Sequence, residues 1–107
     1  MHDMMESVEK FVRNTQFQDF VADEKTRLAI MQALEIIGEA AKNVPEPMKS
    51  RYPEIPWRAM ARLRDRLIHW YFGVDLKAVW QTATVRVPST RPLVKAAIEA
   101  ERQRLNP

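Results

Sequence analysis

The chain has 107 residues, 46% of them hydrophobic, which suits one modest core and predicts a single domain over residues 1–107. It has no cysteine and only two histidines, which excludes disulfides and thiolate metal centres, and neither a metal nor a cofactor is expected. Lys and Arg number 17 against 14 Asp and Glu, a net charge of +3 that permits RNA binding without requiring it; no apolar run nears the ~20 residues of a membrane span and no signal peptide is evident, so the cytoplasm is expected.

Residues 4–15 predict a first helix, with Met5, Val8, Phe11 and Val12 at helical spacing. His2 lies ahead of it, in a segment expected to fray. Residues 16–22 read as a short connection whose Phe17 and Phe20 plug the edge of the core. Residues 24–44 form the longest predicted helix, capped by Asp23. Leu28, Met31, Leu34, Gly38 and Ala41 make one apolar stripe, and Ile30, Ala33, Ile37, Ala40 and Val44 a second. Two adjacent stripes imply a helix central to a bundle, or one shared between a core and a dimer interface. Gly38, with Ala40 and Ala41, leaves room for another helix to approach closely.

Pro45, Pro47, Pro53 and Pro56 predict a stiff irregular loop over 45–56. A helix over 57–72 follows, stopped by Gly73. Asp75 caps a fourth helix that carries Leu76, Val79, Trp80, Ala83 and Val87 and is expected to end at Pro88. Ser89 or Thr90 then caps a fifth, with Leu93, Val94, Ala97, Ile98 and Leu105 turned inward. No strand alternation or repeat is visible. The fold class is all-α, a four- to five-helix bundle with short connections.

The stretch Arg64-Asp-Arg-Leu-Ile-His-Trp-Tyr-Phe-Gly73 carries the chemistry. At about 100° per residue, Met60, Leu63, Leu67 and Trp70 share the core stripe, and Arg64 and Tyr71 line one edge of it. Asp65 and His69 are four apart, so the carboxylate is placed to meet the imidazole, fix its tautomer and favour its charged form. Arg64 and His69 are five apart and diverge on a straight helix. They converge only if the helix distorts near Gly73, if Arg64 reaches around, or if a second chain completes the site. Arg58, Arg62, Arg64 and Arg66 stand against Asp65 alone over 58–66, a local basic patch in which Arg62 and Arg66 are the candidate RNA-binding residues. The competing reading of all these residues is a solvated helix end, with His69 suited to the negative end of the helix dipole.

Leu34-Glu-Ile-Ile-Gly-Glu-Ala-Ala-Lys42, Tyr52-Pro-Glu-Ile-Pro-Trp57, Arg64 through Leu76, and Val79-Trp80 together resemble the HepT-like branch of the HEPN domains, in the right order over most of residues 5–100. The resemblance implies a helical bundle that pairs as a homodimer, with two Arg-x4-His motifs meeting in one cleft. It implies the toxin of a two-gene toxin–antitoxin system, a metal-independent endoribonuclease. Its antitoxin would be an MntA-type nucleotidyltransferase that silences the toxin by transferring AMP to the motif tyrosine. Carried over by position, Arg64 and His69 are catalytic, Tyr71 is the AMP acceptor, and Asp65 is the polar residue that follows the arginine. There are two departures. Trp70 stands where such sequences often have glycine, and the chain starts later than many of them, which predicts a first helix shorter by a turn.

The carried-over roles suit the chemistry. RNA breaks without a metal when its 2′-OH attacks the adjacent phosphorus, given a base, an acid and a cation for the phosphorane. An imidazole serves either proton transfer, and a guanidinium offers paired donors to phosphate oxygens. Two other functions compete with this one. The first is a non-catalytic helical module that docks a nucleotidyltransferase and helps hold its substrate. The second is a structural dimerising bundle in which Arg64, Asp65 and His69 form an interface network.

Overall fold

A computed structural model describes residues 1–73 and 75–106; Val74, which belongs to the motif quoted above, and Pro107 lie outside the described residues. Among the described residues every regular element is helical, in agreement with the all-α expectation, and no helix is long and apolar enough to cross a membrane. In chain order they are α1 (His2–Val12), α2 (Phe17–Ala22), α3 (Glu24–Lys42), α4 (Glu46–Arg51), α5 (Trp57–Ala61), α6 (Leu63–Phe72), α7 (Leu76–Gln81), a π-helical turn (Thr82–Arg86) and α8 (Val87–Leu105).

α3 is central, packing on α1, α2, α5 and α6, while α8 closes over α1. Both predicted stripes of α3 supply the core, through Ile30, Ala33, Leu34, Ile37 and Ala41. Met5 and Val8 reach it from α1, Met60, Leu63 and Leu67 from α5 and α6, Val79 from α7, Ala83 from the π turn, and Val87, Val94 and Ala97 from α8. Leu28 departs from its stripe and is 50% exposed. Asp23 caps α3 as predicted, accepting the Lys25 N–H at 3.1 Å and the Thr26 hydroxyl at 2.8 Å. Phe20 is fully buried and lies 5.1 Å, ring to ring, from Trp80, so the expected aromatic plug is present.

Four boundaries differ from the sequence reading. α1 begins at His2 and ends at Val12, because Asn14 takes the left-handed conformation (φ 59°), which asparagine tolerates better than most residues. The connection at 16–22 is a short helix, where the Asp19 carboxylate accepts the Gln16 N–H at 3.1 Å. The proline-rich loop holds one helical turn and a half, α4, which starts at Glu46 directly after Pro45 and carries Pro47 where a missing N–H costs nothing. The motif helix is interrupted at Arg62 (φ −90°, ψ 0°), giving α5 and α6.

The largest correction is at Pro88, which does not end a helix. α7, the π turn and α8 form one rod from Leu76 to Leu105, and Ser89 and Thr90 cap nothing. At ~1.5 Å per residue the rod is about 45 Å long, which accounts for the 49 Å longest dimension of the molecule. The wide turn lies just ahead of Pro88, whose ring would press on the carbonyl four residues back in a regular α-helix, and widening that turn relieves the clash. Asp75 caps the rod as predicted, accepting the Ala78 N–H at 3.1 Å.

The Tyr52–Trp57 segment is pinned at both ends. The Tyr52 hydroxyl donates to Glu101 Oε2 at 2.7 Å, Arg51 pairs with the same carboxylate, and Trp57 Nε1 donates to the Tyr52 carbonyl at 3.0 Å over the buried Ile55. Donation from Arg51 first, then from Tyr52, holds the Glu101 carboxyl below its ordinary 4.5. A carboxylate with a depressed value stabilises the fold above the ordinary value and loses that contribution as pH falls through the depressed one. Stability is therefore expected to fall from about pH 4.5 downward. In Glu101→Gln the thermal midpoint should be lower at neutral pH and its acid decline shallower, measured by circular dichroism melts between pH 3 and 7.

At Gly38 an added Cβ would lie 2.9 Å from the Met60 carbonyl oxygen and 3.1 Å from Leu63 Cβ. The close approach inferred from the small residues is thus made, by α5 and α6. Overpacking there costs about 1–3 kcal/mol against a helix-propensity gain of about 1 kcal/mol for alanine. Gly38→Ala is expected to lose about 1 kcal/mol in urea unfolding and Gly38→Val distinctly more; a Gly38→Val chain of parental stability would show that the helices part freely.

Candidate functional site

α6 presents three different sides. Leu63 and Leu67 face inward and are buried, and Trp70 is partly buried against them, as the stripe predicts. Arg64 leans over α3. Its Nε lies 3.9 Å from Glu35 Oε1 and its Nη1 3.9 Å from Glu39 Oε1, and its side chain stays 61% exposed. These are long, solvated contacts, of the kind worth ~0–1 kcal/mol, so they orient the guanidinium without consuming it. Arg64, Glu35, Glu39, Gln32, Ile36, Ala40 and Asn43 line a shallow groove along the outer face of α3.

Asp65, His69 and the apolar Ile68 and Phe72 point outward. Ile68 is 50% and Phe72 80% exposed. Asp65 and His69 are both exposed, and no hydrogen bond or ion pair joins them among the described residues. The expected tautomer-fixing contact is therefore absent: helical spacing brings two side chains into range, but in open water neither gains enough to hold the other. Arg64 and His69 are separated by about 140° around the helix axis, and α6 runs unbroken from Leu63 to Phe72, so no distortion toward Gly73 brings them together; the break at Arg62 lies before both. Of the three routes to convergence left open by the spacing, the first is not taken. Tyr71 is 37% exposed, with Phe72 edge-on to its ring at 5.4 Å. Arg62 and Arg66 are exposed on the side of α6 that carries His69, away from Arg64.

The chain's other histidine is not in a frayed end. His2 opens α1, half-buried, with Nδ1 3.2 Å from Glu6 Oε1. With Asp3 it completes the one group of metal-ligand type with atoms within 4.8 Å of one another among the described residues.

The sequence reading missed Glu35 and Glu39. Their signal is an acidic pair at i and i+4 on α3, flanking the glycine against which α6 packs. It also missed a cleft on the far side of α6, between α5–α6 and the rod, lined by Trp70, Arg66 and Arg86 among others. Those residues come from distant parts of the chain, so no local pattern announces it.

The family described as "Ribonuclease HepT-like" matches residues 1–97. A "Probable ribonuclease HepT" of Thermococcus cleftensis is 53% identical over 87 residues, which is 81% of this chain and 79% of that protein. A protein of Methanocaldococcus jannaschii named as a "Putative RNase" is 41% identical over 92 residues (83% and 76%), and one of Caldanaerobacter subterraneus subsp. tengcongensis with the same description is 38% identical over 91 residues (85% and 81%). No solved structure matches. Matched by the family over residues 1–97 and by relatives well above 30% identity over most of their length, the chain belongs to the HepT-like ribonuclease family.

Proposed function

We propose that this chain is an endoribonuclease that cuts RNA without a metal ion, at a cleft made where two copies pair, and that it is the toxin of a toxin–antitoxin system. The observation that carries this reading is the outer face of α6: Arg64 and His69 stand exposed on either flank of the exposed Ile68 and Phe72. Large apolar side chains flanked by polar and charged ones are what an interface leaves bare in a lone chain. Two copies paired on this face would bury Ile68 and Phe72 and set the Arg64 of one near the His69 of the other.

In that cleft the 2′-oxygen of a ribose attacks the adjacent phosphorus, the bond from phosphorus to the 5′-oxygen breaks, and a 2′,3′-cyclic phosphate and a 5′-hydroxyl result. One His69 takes the 2′-hydroxyl proton and its symmetry mate returns a proton to the leaving oxygen. Arg64, held by Glu35 and Glu39, donates to the phosphorane oxygens. Arg62 and Arg66 hold flanking phosphates. Asp65 acts through the charge it places beside His69, since it does not touch the ring.

Control falls to Tyr71. An MntA-type nucleotidyltransferase partner would bring ATP so that the Tyr71 phenol oxygen attacks the α-phosphorus, pyrophosphate leaves and the phenolic proton is lost. The AMP adds bulk and negative charge beside Arg64, where RNA phosphate must sit. The partial exposure of Tyr71 leaves it reachable in a single chain.

A second reading is a non-catalytic partner of a nucleotidyltransferase that binds without cutting. The indole of Trp70 in the motif helix favours it.

Incubation of the purified chain with RNA in EDTA separates the two. Cleavage is expected, with His69→Ala about 10²–10⁴-fold and Arg64→Ala about 10²–10³-fold slower at unchanged thermal midpoints, since both side chains are solvated. Full activity in either variant would remove that residue from the mechanism; no cleavage by the parent would leave the binding module. With the partner and ATP, intact mass should rise by one AMP per chain, and Tyr71→Phe should abolish the gain.

A further inference from the structure

We propose that the cleft between α5–α6 and the α7–α8 rod is a nucleotide-binding subsite, taking one unpaired RNA nucleotide next to the bond that is cut. The proposal rests on the ribonuclease reading only for the identity of the strand. The cleft encloses about 550 Å³, within the range of small-ligand sites and ample for one nucleotide. Its floor is apolar, built from core residues that include Met60, Leu63 and Val87. Trp70 lines it from α6, and Arg66 and Arg86 line it from opposite walls.

Three features distinguish it from an ordinary gap between helices. First, it is cationic. Arg66 and Arg86 make no ion pair among the described residues, and Glu54 is the one carboxylate among the lining residues. Two guanidiniums beside an indole are the elements of a phosphate clamp with a base-stacking surface.

Second, it contains an unused hydroxyl. Thr82, Thr84 and Ser89, on the same rod, each spend their hydroxyl on a backbone carbonyl, those of Ala78, Trp80 and Arg86. Thr90 lines the cleft at 8% exposure and makes no hydrogen bond among the described residues. Its oxygen is not among the buried unpaired atoms, so it reaches the cleft and is free to bond a ligand's polar atom.

Third, it continues the candidate site. Arg66 lies three residues before His69 and Trp70 directly follows it, so a strand crossing His69 reaches Arg66 within one turn, ~5.4 Å, and turns into the cleft. Arg86 comes from the π turn, which rotates the rod between Thr82 and Val87 so that both residues line the same cleft five positions apart. Such turns recur at functional sites. The bulky residue at 70 gains a purpose in this arrangement: it is the platform for the base.

The test uses the full chain and a fluorescein-labelled 2′-O-methyl RNA oligonucleotide, which lacks the attacking hydroxyl and so reports binding apart from cleavage. Arg86→Gln is expected to weaken binding about tenfold in an anisotropy titration and to lower the slope of log affinity against log salt by about one. Lys25→Gln, an equal loss of charge at the start of α3, should change affinity less than twofold. Trp70→Leu should also cost about tenfold, and Trp70→Phe should restore most of it. Thr90→Val should weaken binding severalfold. If Trp70→Leu fails to fold, Arg86→Gln, at an exposed position, decides the matter alone. Equal losses in Arg86→Gln and Lys25→Gln, or parental binding in Arg86→Gln, would overturn the subsite whether or not the chain cuts RNA. Cleft-dependent binding by a chain that never cuts would uphold the subsite and defeat the ribonuclease reading.

Discussion

The contact between Gly38 and the backbone of Met60 sets the geometry of everything functional in this molecule. With no Cβ at 38, α3 comes within van der Waals range of a carbonyl on α5 and of Leu63 at the start of α6. That fixes how far α6 stands from α3, and so puts the Arg64 guanidinium within 3.9 Å of Glu35 and Glu39, which lie one turn apart on either side of the glycine. The position of the arginine is a consequence of main-chain packing, with the carboxylates adding direction. A rigid helix pair holds a side chain with less motion than a loop would.

The opposite wall is set by a different device. The rod from Leu76 to Leu105 keeps its core-facing side through two prolines, with one widened turn just ahead of the first. Its far end is tied down by Glu101, which collects Arg51 and the Tyr52 hydroxyl. The Tyr52–Trp57 segment, stiffened by prolines and held by the Trp57 indole on the Tyr52 carbonyl, then delivers Pro56 to the N-terminus of α5. The motif helix is therefore held between α3 on one side and the proline segment and rod on the other.

Held in this way, α6 divides its ten residues by chemistry. The inward side is leucine and tryptophan. One edge carries Arg64 and Tyr71 toward the outer face of α3. The other edge carries Arg66 toward the cleft. The outward side mixes His69 and Asp65 with the bare Ile68 and Phe72. Ile68 and Phe72 thus leave an exposed apolar patch beside charged groups, and exposed apolar surface is costly in water.

Much of this was legible in the sequence because it depends on local periodicity and local capping. The all-α class, the central two-striped helix, the Asp23 and Asp75 caps, the inward Met60, Leu63 and Leu67, and the close approach at Gly38 all follow from residue spacing along one helix, and the family follows from motifs that are contiguous in the chain. What the tertiary structure alone decided depends on pairs distant in sequence. Pro88 reads as a stop, and becomes one residue of an unbroken rod because burying Val87 and Val94 on α1 outweighs the local preference. Asp65 and His69 have contact spacing and make no contact, since exposure removes the gain. Glu35 and Glu39 meet Arg64, and Arg66 and Trp70 share a cleft with Arg86 and Thr90, only after the helices have packed, because propensity acts over a few residues while side chains sixteen or more apart are brought together by the burial of apolar surface.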